Sequence, residues 1–204
     1  MKLMNRLVRV GLNRFSVLKF REKPRFEICY FYRIKNKDLS ISPKLEQLPK
    51  LAKGKHNANK MFFTKLKKKP PKQLDYLMQE LHEEEFEKTD CLECANCCKT
   101  SGPLFTNRDI ERISKFLKLK PQQFIKAYLR IDEDNDYVLQ SVPCAFLGVD
   151  NYCSIYDARP KACREFPHTN RKKFQQISHL TLKNVSICPA AYNIVEKMKK
   201  QLLP

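Results

Sequence analysis

The chain has 204 residues, a formal charge of +18 and nine cysteines, a size that allows one domain with an extension and a modest core. It holds four glycines and none of the G-x-G-x-x-G, G-K-[ST], H-E-x-x-H or G-x-S-x-G patterns, so nucleotide-cradling and standard hydrolase chemistries are disfavoured. No apolar run approaches the ~18 residues of a membrane span. The start lacks the continuous apolar region of a secretory signal, so a reducing, cytoplasmic setting is expected, where clustered cysteines are ligands more often than disulfides.

The charge is unevenly spread. Residues 1–72 carry 21 Lys and Arg against 4 acids, whereas residues 73–204 carry 19 against 18. The expected organisation is a basic, linker-like extension over 1–72 and a nearly neutral cysteine-bearing domain over 73–204. Basic character confined to the extension, with no RNP-like or zinc-finger pattern, disfavours nucleic acid as the partner.

Within residues 1–20, Leu3, Leu7 and Val10 share a helical face among basic residues, a mild likeness to a presequence or a basic membrane-surface helix. A solvated basic tail is the plainer reading. Alternation at Phe26, Ile28, Tyr30, Tyr32 and Ile34 predicts a short strand. The Lys/Pro-rich stretch through Lys65–Pro71 reads as a linker, and a chain begun at Met61 would still keep every clustered cysteine.

The folded domain is expected from Gln73, opening with a helix whose face carries Leu74, Leu77, Met78 and Leu81. His82 on it is read as a surface residue. Then comes Cys91-Leu92-Glu93-Cys94-Ala95-Asn96-Cys97-Cys98, four thiols in eight residues. A C-x2-C turn lets two thiolates converge on one metal. A disulfide between adjacent Cys97 and Cys98 is sterically poor, while two adjacent thiolates serve one cluster or two neighbouring sites. With Cys144, Cys153, Cys163 and Cys188 there are eight thiols, enough for two four-thiolate sites or one with thiols to spare.

Thr106–Asp109 has the form of a capping box and predicts a helix burying Ile110, Ile113, Phe116 and Leu117. Pro121 marks the first turn of the next, with Phe124, Ile125, Tyr128 and Leu129 inward. Asp132–Asp136 lacks the glycine and glutamate of an EF-hand and reads as an exposed turn. Strands are expected through Tyr137–Leu139 into Pro143–Leu147 and back through Tyr152–Tyr156, a hairpin that brings Cys144 and Cys153 together. Arg159 and Arg164 flank Cys163, where positive charge would stabilise thiolates and a metal cofactor; the alternative is pairing with Asp157 and Glu165. His168 follows as a loop residue or an alternative ligand. Cys188-Pro189 opens the last helix, and the Cys-Pro pair is like the final ligand of the bacterial ferredoxin run C-x2-C-x2-C-x3-C-P. Ser101 stands where that local fourth cysteine would be, so Cys98 or a remote cysteine must replace it. Cys98 is the least expected to share a centre with Cys97.

This ordered set resembles the YkgJ-type cysteine-cluster family, described as zinc- or iron-chelating proteins. The likeness rests on Cys91, Cys94, Cys97, Cys98, Thr106–Ile110, Pro143–Leu147, Cys153–Tyr156, Arg159-Pro160, Cys163–Pro167 and Cys188-Pro189, and spans about residues 73–200. A related pattern occurs in flagellin lysine-N-methylases, where an iron–sulfur cluster is implicated; this chain shows no Gly-rich S-adenosylmethionine site, so that activity is not carried over.

The sequence thus points to a small, α-rich α+β domain with helices around a metal-bound cysteine core and one short β-hairpin. Its eight clustered cysteines are the ligand pool. An iron–sulfur cluster, 4Fe–4S by the ferredoxin likeness, is preferred to zinc. The alternatives are a cluster-dependent protein-modifying enzyme acting on a protein substrate, a zinc-stabilised scaffold for a protein partner, and a disulfide-stapled domain. No motif specifies the open coordination position or cleft that an enzyme would need.

Overall fold

The computed structural model describes residues 45–203; the basic helix and the strand expected over residues 1–34, and Cys29, lie outside them. Among the described residues the chain is α-rich with a small antiparallel sheet. No helix there is long and apolar enough to cross a membrane.

The first helix, α1 (Leu48–Lys68), corrects the linker expectation. Leu48, Ala52, Asn59, Phe62, Phe63 and Leu66 recur at helical spacing and are buried, while the lysines occupy the outer face. α2 (Leu74–Phe86) presents the predicted stripe of Leu74, Met78 and Leu81 to the interior. With α8 (Ser178–Asn184) and α9 (Pro189–Leu202) these helices enclose one core, whose largest fully buried members include Phe63, Phe174, Leu48, Met78, Ile194 and Met198. Each such side chain contributes about 1.5–3 kcal/mol on burial.

Polar contacts fix the register of these helices. Lys55 reaches Glu196 at 2.6 Å, Lys199 donates to Asn59 Oδ1 at 2.6 Å, and Lys197 bridges Glu84 and Glu85 at 3.0 and 2.9 Å. Asp75 accepts the backbone N–H groups of Lys173 and Phe174, which seats the Phe174 ring against Phe63.

A second core is built from β1 (Leu104–Phe105), α5 (Asn107–Phe116), α6 (Pro121–Tyr128), β2 (Leu129–Ile131) and β3 (Tyr137–Leu139). The sheet order is β1-β3-β2, with Leu104 opposite Val138 and Arg130 opposite Val138 on the other side. Phe105, Ile110, Ile113, Phe124, Leu139 and Phe146 fill it. The capping box at Thr106 and the Pro121 start are present as predicted.

The short hairpin is β2–β3. Its tip is the Asp132–Asp136 turn, closed by Asp132 Oδ1 accepting from the N–H groups of Asp134 and Asp136 at 3.0 Å each. The hairpin expected from Pro143 to Tyr156 narrows to one antiparallel bridge, Leu147 to Cys153, beside the contact from Ser154 N–H to Phe146 O. The turn at Gly148–Asn151 leaves too few paired residues for strands, and Tyr156–Ala158 winds into a 3-10 turn.

Candidate metal centre

The thiols sit where the two cores meet. Cys188 belongs to the helical core, while Cys144 and Cys153 pack against the sheet-bearing one. Between them, the C-x2-C run forms two short helices, α3 (Cys91–Cys94) and α4 (Asn96–Thr100).

Asp90 caps α3 by accepting from Leu92 N–H at 2.8 Å. Ala95 then turns the chain with φ 46° and ψ 15°, a left-handed conformation that costs a non-glycine residue about 1–2 kcal/mol. That residue ends one helix and begins the other, so the thiols of Cys91 and Cys94 belong to one turn and those of Cys97 and Cys98 to the next. Helices of four and five residues are unstable alone. Three tertiary hydrogen bonds hold them: Asn96 Nδ2 to Ile187 O at 2.6 Å, Asn151 Nδ2 to Glu93 O at 3.1 Å, and Cys144 N–H to Cys98 O at 2.8 Å.

Cys163 lies in α7 (Lys161–Glu165), and its placement traces to Asp109. The Asp109 side chain is 2% exposed. It accepts from Thr106 Oγ1 at 2.6 Å, from Arg112 at 2.6 Å and from Lys161 N–H at 3.0 Å, while Arg112 also donates to Arg159 O at 2.7 Å. Burial alone would push this carboxyl up, but the hydrogen bonds from Thr106, Arg112 and the Lys161 backbone outweigh it and hold it below its ordinary value. Asp109 is thus more than a cap: it moors the Arg159–Lys161 segment to α5. Asp109→Ala is expected to cost about 2–4 kcal/mol, from the lost cap and the broken, largely buried pair. Because the folded carboxyl is depressed, its contribution is complete at neutral pH and fades as pH falls through its folded value. Melting curves of both proteins should therefore converge in strong acid.

All eight described cysteines are free thiols; Cys91 is exposed, Cys188 is buried and the other six lie between. They fall into two neighbourhoods. Cys91, Cys94 and Cys188 act electrostatically on one another. Cys98, Cys144, Cys153 and Cys163 do so in all six pairings. One link, Cys91 to Cys98, crosses between them, and Cys97 Sγ stands 4.0 Å from Cys98 Sγ at the junction. Among the described residues no three ligand side chains yet close to ion-gripping distance. Closure from there requires changes of side-chain rotamer.

Burial is the first cause of raised thiol acidity constants here. It pushes Cys163 and Cys188 up to about 12, and Cys91, Cys144 and Cys153 upward as well. For Cys98 the hydrogen bond with Cys97 leads and burial adds to it. Free thiols in this setting stay protonated at neutral pH, and an incoming metal ion would displace their protons.

Arg159 opposes that shift at Cys91, Cys98, Cys153 and Cys163. Its guanidinium lies 3.3 Å over the Tyr156 ring and its Nε donates to Tyr156 O at 2.7 Å, which fixes the cation beside the sulfurs. Arg164 is more exposed and donates to Arg159 O. Among the described ion pairs neither arginine meets Asp157 or Glu165; Glu165 instead faces Lys161 and His168. His82 is half-buried rather than a surface residue, bonded to the buried Thr169 hydroxyl at 2.7 Å and packed on Phe86. Asn96, Asn151 and Asp109 are the positioning residues that sequence reasoning passed over; only Asp109 had a signal, its capping-box spacing.

Residues 90–181 match the CxxCxxCC family, described as "Putative zinc- or iron-chelating domain". The chain carries a CxxCxxCC domain. Seven of the eight clustered cysteines fall inside the matched residues, and Cys188 lies beyond them. The chain is also similar to "Uncharacterized protein MJ0661" of Methanocaldococcus jannaschii, 33% identical over 84 residues, which are 39% of this chain and 44% of that protein. The chain therefore spans less than half the length of that relative. No solved structure matches it. The CxxCxxCC domain is a zinc- or iron-chelating cysteine domain by family, and its donor set fits such a metal: soft thiolates, a nearby fixed cation and short segments moored from several sides.

Proposed function

We propose that the CxxCxxCC domain binds an iron–sulfur cluster, with Cys91, Cys94, Cys97 and Cys188 as its ligands. The observation that carries this reading is the meeting of the C-x2-C-x2-C run with the remote Cys188-Pro189 pair. Asn96, inside the run, holds the backbone at Ile187, next to Cys188. The mooring supplies the Cys-Pro ligand that Ser101 fails to provide locally, as in ferredoxin-type ligation. Pro189 opens α9, and Ala191 N–H points at Cys188 Sγ at 3.4 Å, a donor suited to a sulfur bearing negative charge. Arg159 offsets further charge on the thiolate side. The bound group would supply redox or Lewis-acid chemistry; this chain's residues bind it, bury it partly and hold a cation beside it.

The test is the full chain prepared without oxygen. The expected result is a brown protein with broad absorption near ~400 nm and matched iron and acid-labile sulfide. A colourless chain carrying only zinc overturns this reading in favour of the partner-binding scaffold.

A further inference from the structure

We propose that Cys98, Cys144, Cys153 and Cys163 form a second and separate four-thiolate site, taking a single zinc ion. The proposal rests on the chelating reading above and extends it to the thiols left outside the ferredoxin-like set.

Three moorings bring these four residues together from four segments. Cys144 N–H binds Cys98 O at 2.8 Å, so the 143–147 loop is fastened to the end of the C-x2-C run. The Leu147–Cys153 bridge and the Ser154 N–H to Phe146 O contact fold Cys153 back beside Cys144. Asp109, through Lys161 N–H, and Arg112, through Arg159 O, hold α7 and with it Cys163. Cys144 and Cys153 pack on the sheet-bearing core, whereas Cys188 is part of the other core. The electrostatic neighbourhoods agree with that division.

Four thiolates from four segments leave no open coordination position, which is the pattern of a structural zinc site. Tetrathiolate zinc carries excess negative charge, and Arg159 acts on three of these four thiols. The adjacency of Cys97 and Cys98 then has a use: one thiol turns toward each centre. The site would cross-link α4, the 143–154 loop and α7, a region with little regular structure of its own.

The experiment uses the metal-stripped, reduced full chain, to which zinc is added in steps. At each step exposed thiols are alkylated and every cysteine is read by mass spectrometry. Cys98, Cys144, Cys153 and Cys163 are expected to gain protection together as one block, at a different zinc ratio from Cys91, Cys94 and Cys188. Cys163→Ser is expected to lower bound zinc by one ion while leaving Cys91, Cys94 and Cys188 protected. Cys188→Ser should do the converse. If Cys163→Ser misfolds, the stepwise pattern of the unaltered chain decides. Zinc uptake with protection spread evenly over all eight thiols overturns the division but leaves chelation standing. A chain that takes up no zinc or iron at all removes both.

Discussion

Stripping the metal from the purified full chain is expected to melt the cysteine region first and leave the helical core standing. The reason lies in how little else holds residues 88–175. α3, α4 and α7 have four or five residues each, below the length at which a helix persists alone. Their moorings are a few side-chain and backbone hydrogen bonds, each contributing about 0.5–1.5 kcal/mol. Structural metal typically contributes on the order of 10 kcal/mol in small thiolate domains. Because free thiols here are protonated, loading should also weaken as pH falls. A loss of at least about 5 kcal/mol corresponds to roughly 10–20 °C in Tm for a chain of this size. Calorimetry should resolve two transitions after chelation, with hydrogen exchange accelerated at Cys91–Thr100 and 143–165 but not in α1, α2 or α9. A melting curve indifferent to chelators contradicts this expectation.

Phe63→Ala is expected to destabilise the chain by about 3–5 kcal/mol. Phe63 is 2% exposed and packs against Phe62 and Phe174 at ring separations of 5.7 and 6.2 Å. Replacing it leaves a cavity between α1 and the Phe174–Ile177 turn that the surrounding helices fill only in part. A linker over residues 48–72 would make the same substitution nearly neutral, so urea titration of this variant separates the two descriptions. Lys60→Ala, on the exposed face of α1, is the matched control and should move stability by less than about 0.5 kcal/mol. The same packing bears on a chain begun at Met61. It would lack Leu48, Ala52 and Asn59, all buried in the described fold.

Why α1 reads as a linker in the sequence is plain in physical terms. Its lysines outnumber its apolar residues on the outer face, and Pro70-Pro71 follows. Yet Leu48, Ala52, Asn59, Phe62, Phe63 and Leu66 carry helical spacing throughout, and charge density hid it. The other helices were legible because their signals are local: apolar spacing in α2, the Thr106 capping box, Pro121 and Pro189 in first turns. The sheet was less so, since β1 has two residues and its pairing with β3 joins segments far apart in sequence. For the metal centre, residue identity came from cysteine spacing alone. Grouping did not, because it depends on moorings by Asn96, Asn151 and Asp109 that no cysteine pattern contains. Arg159 was legible as a neighbour of Cys163; its reach to Cys91 and Cys98 was not.

The central claim is that these cysteines hold metal. It is tested most directly by measuring metal content and thiol reactivity together on the natively purified full chain. The account predicts bound zinc or iron, thiols of residues 91–188 that resist a thiol reagent in the native protein, and their full reactivity once the chain is denatured with a chelator. A metal-free chain whose eight thiols react at once, or one in which no thiol appears even after denaturation because all are in disulfides, would contradict it.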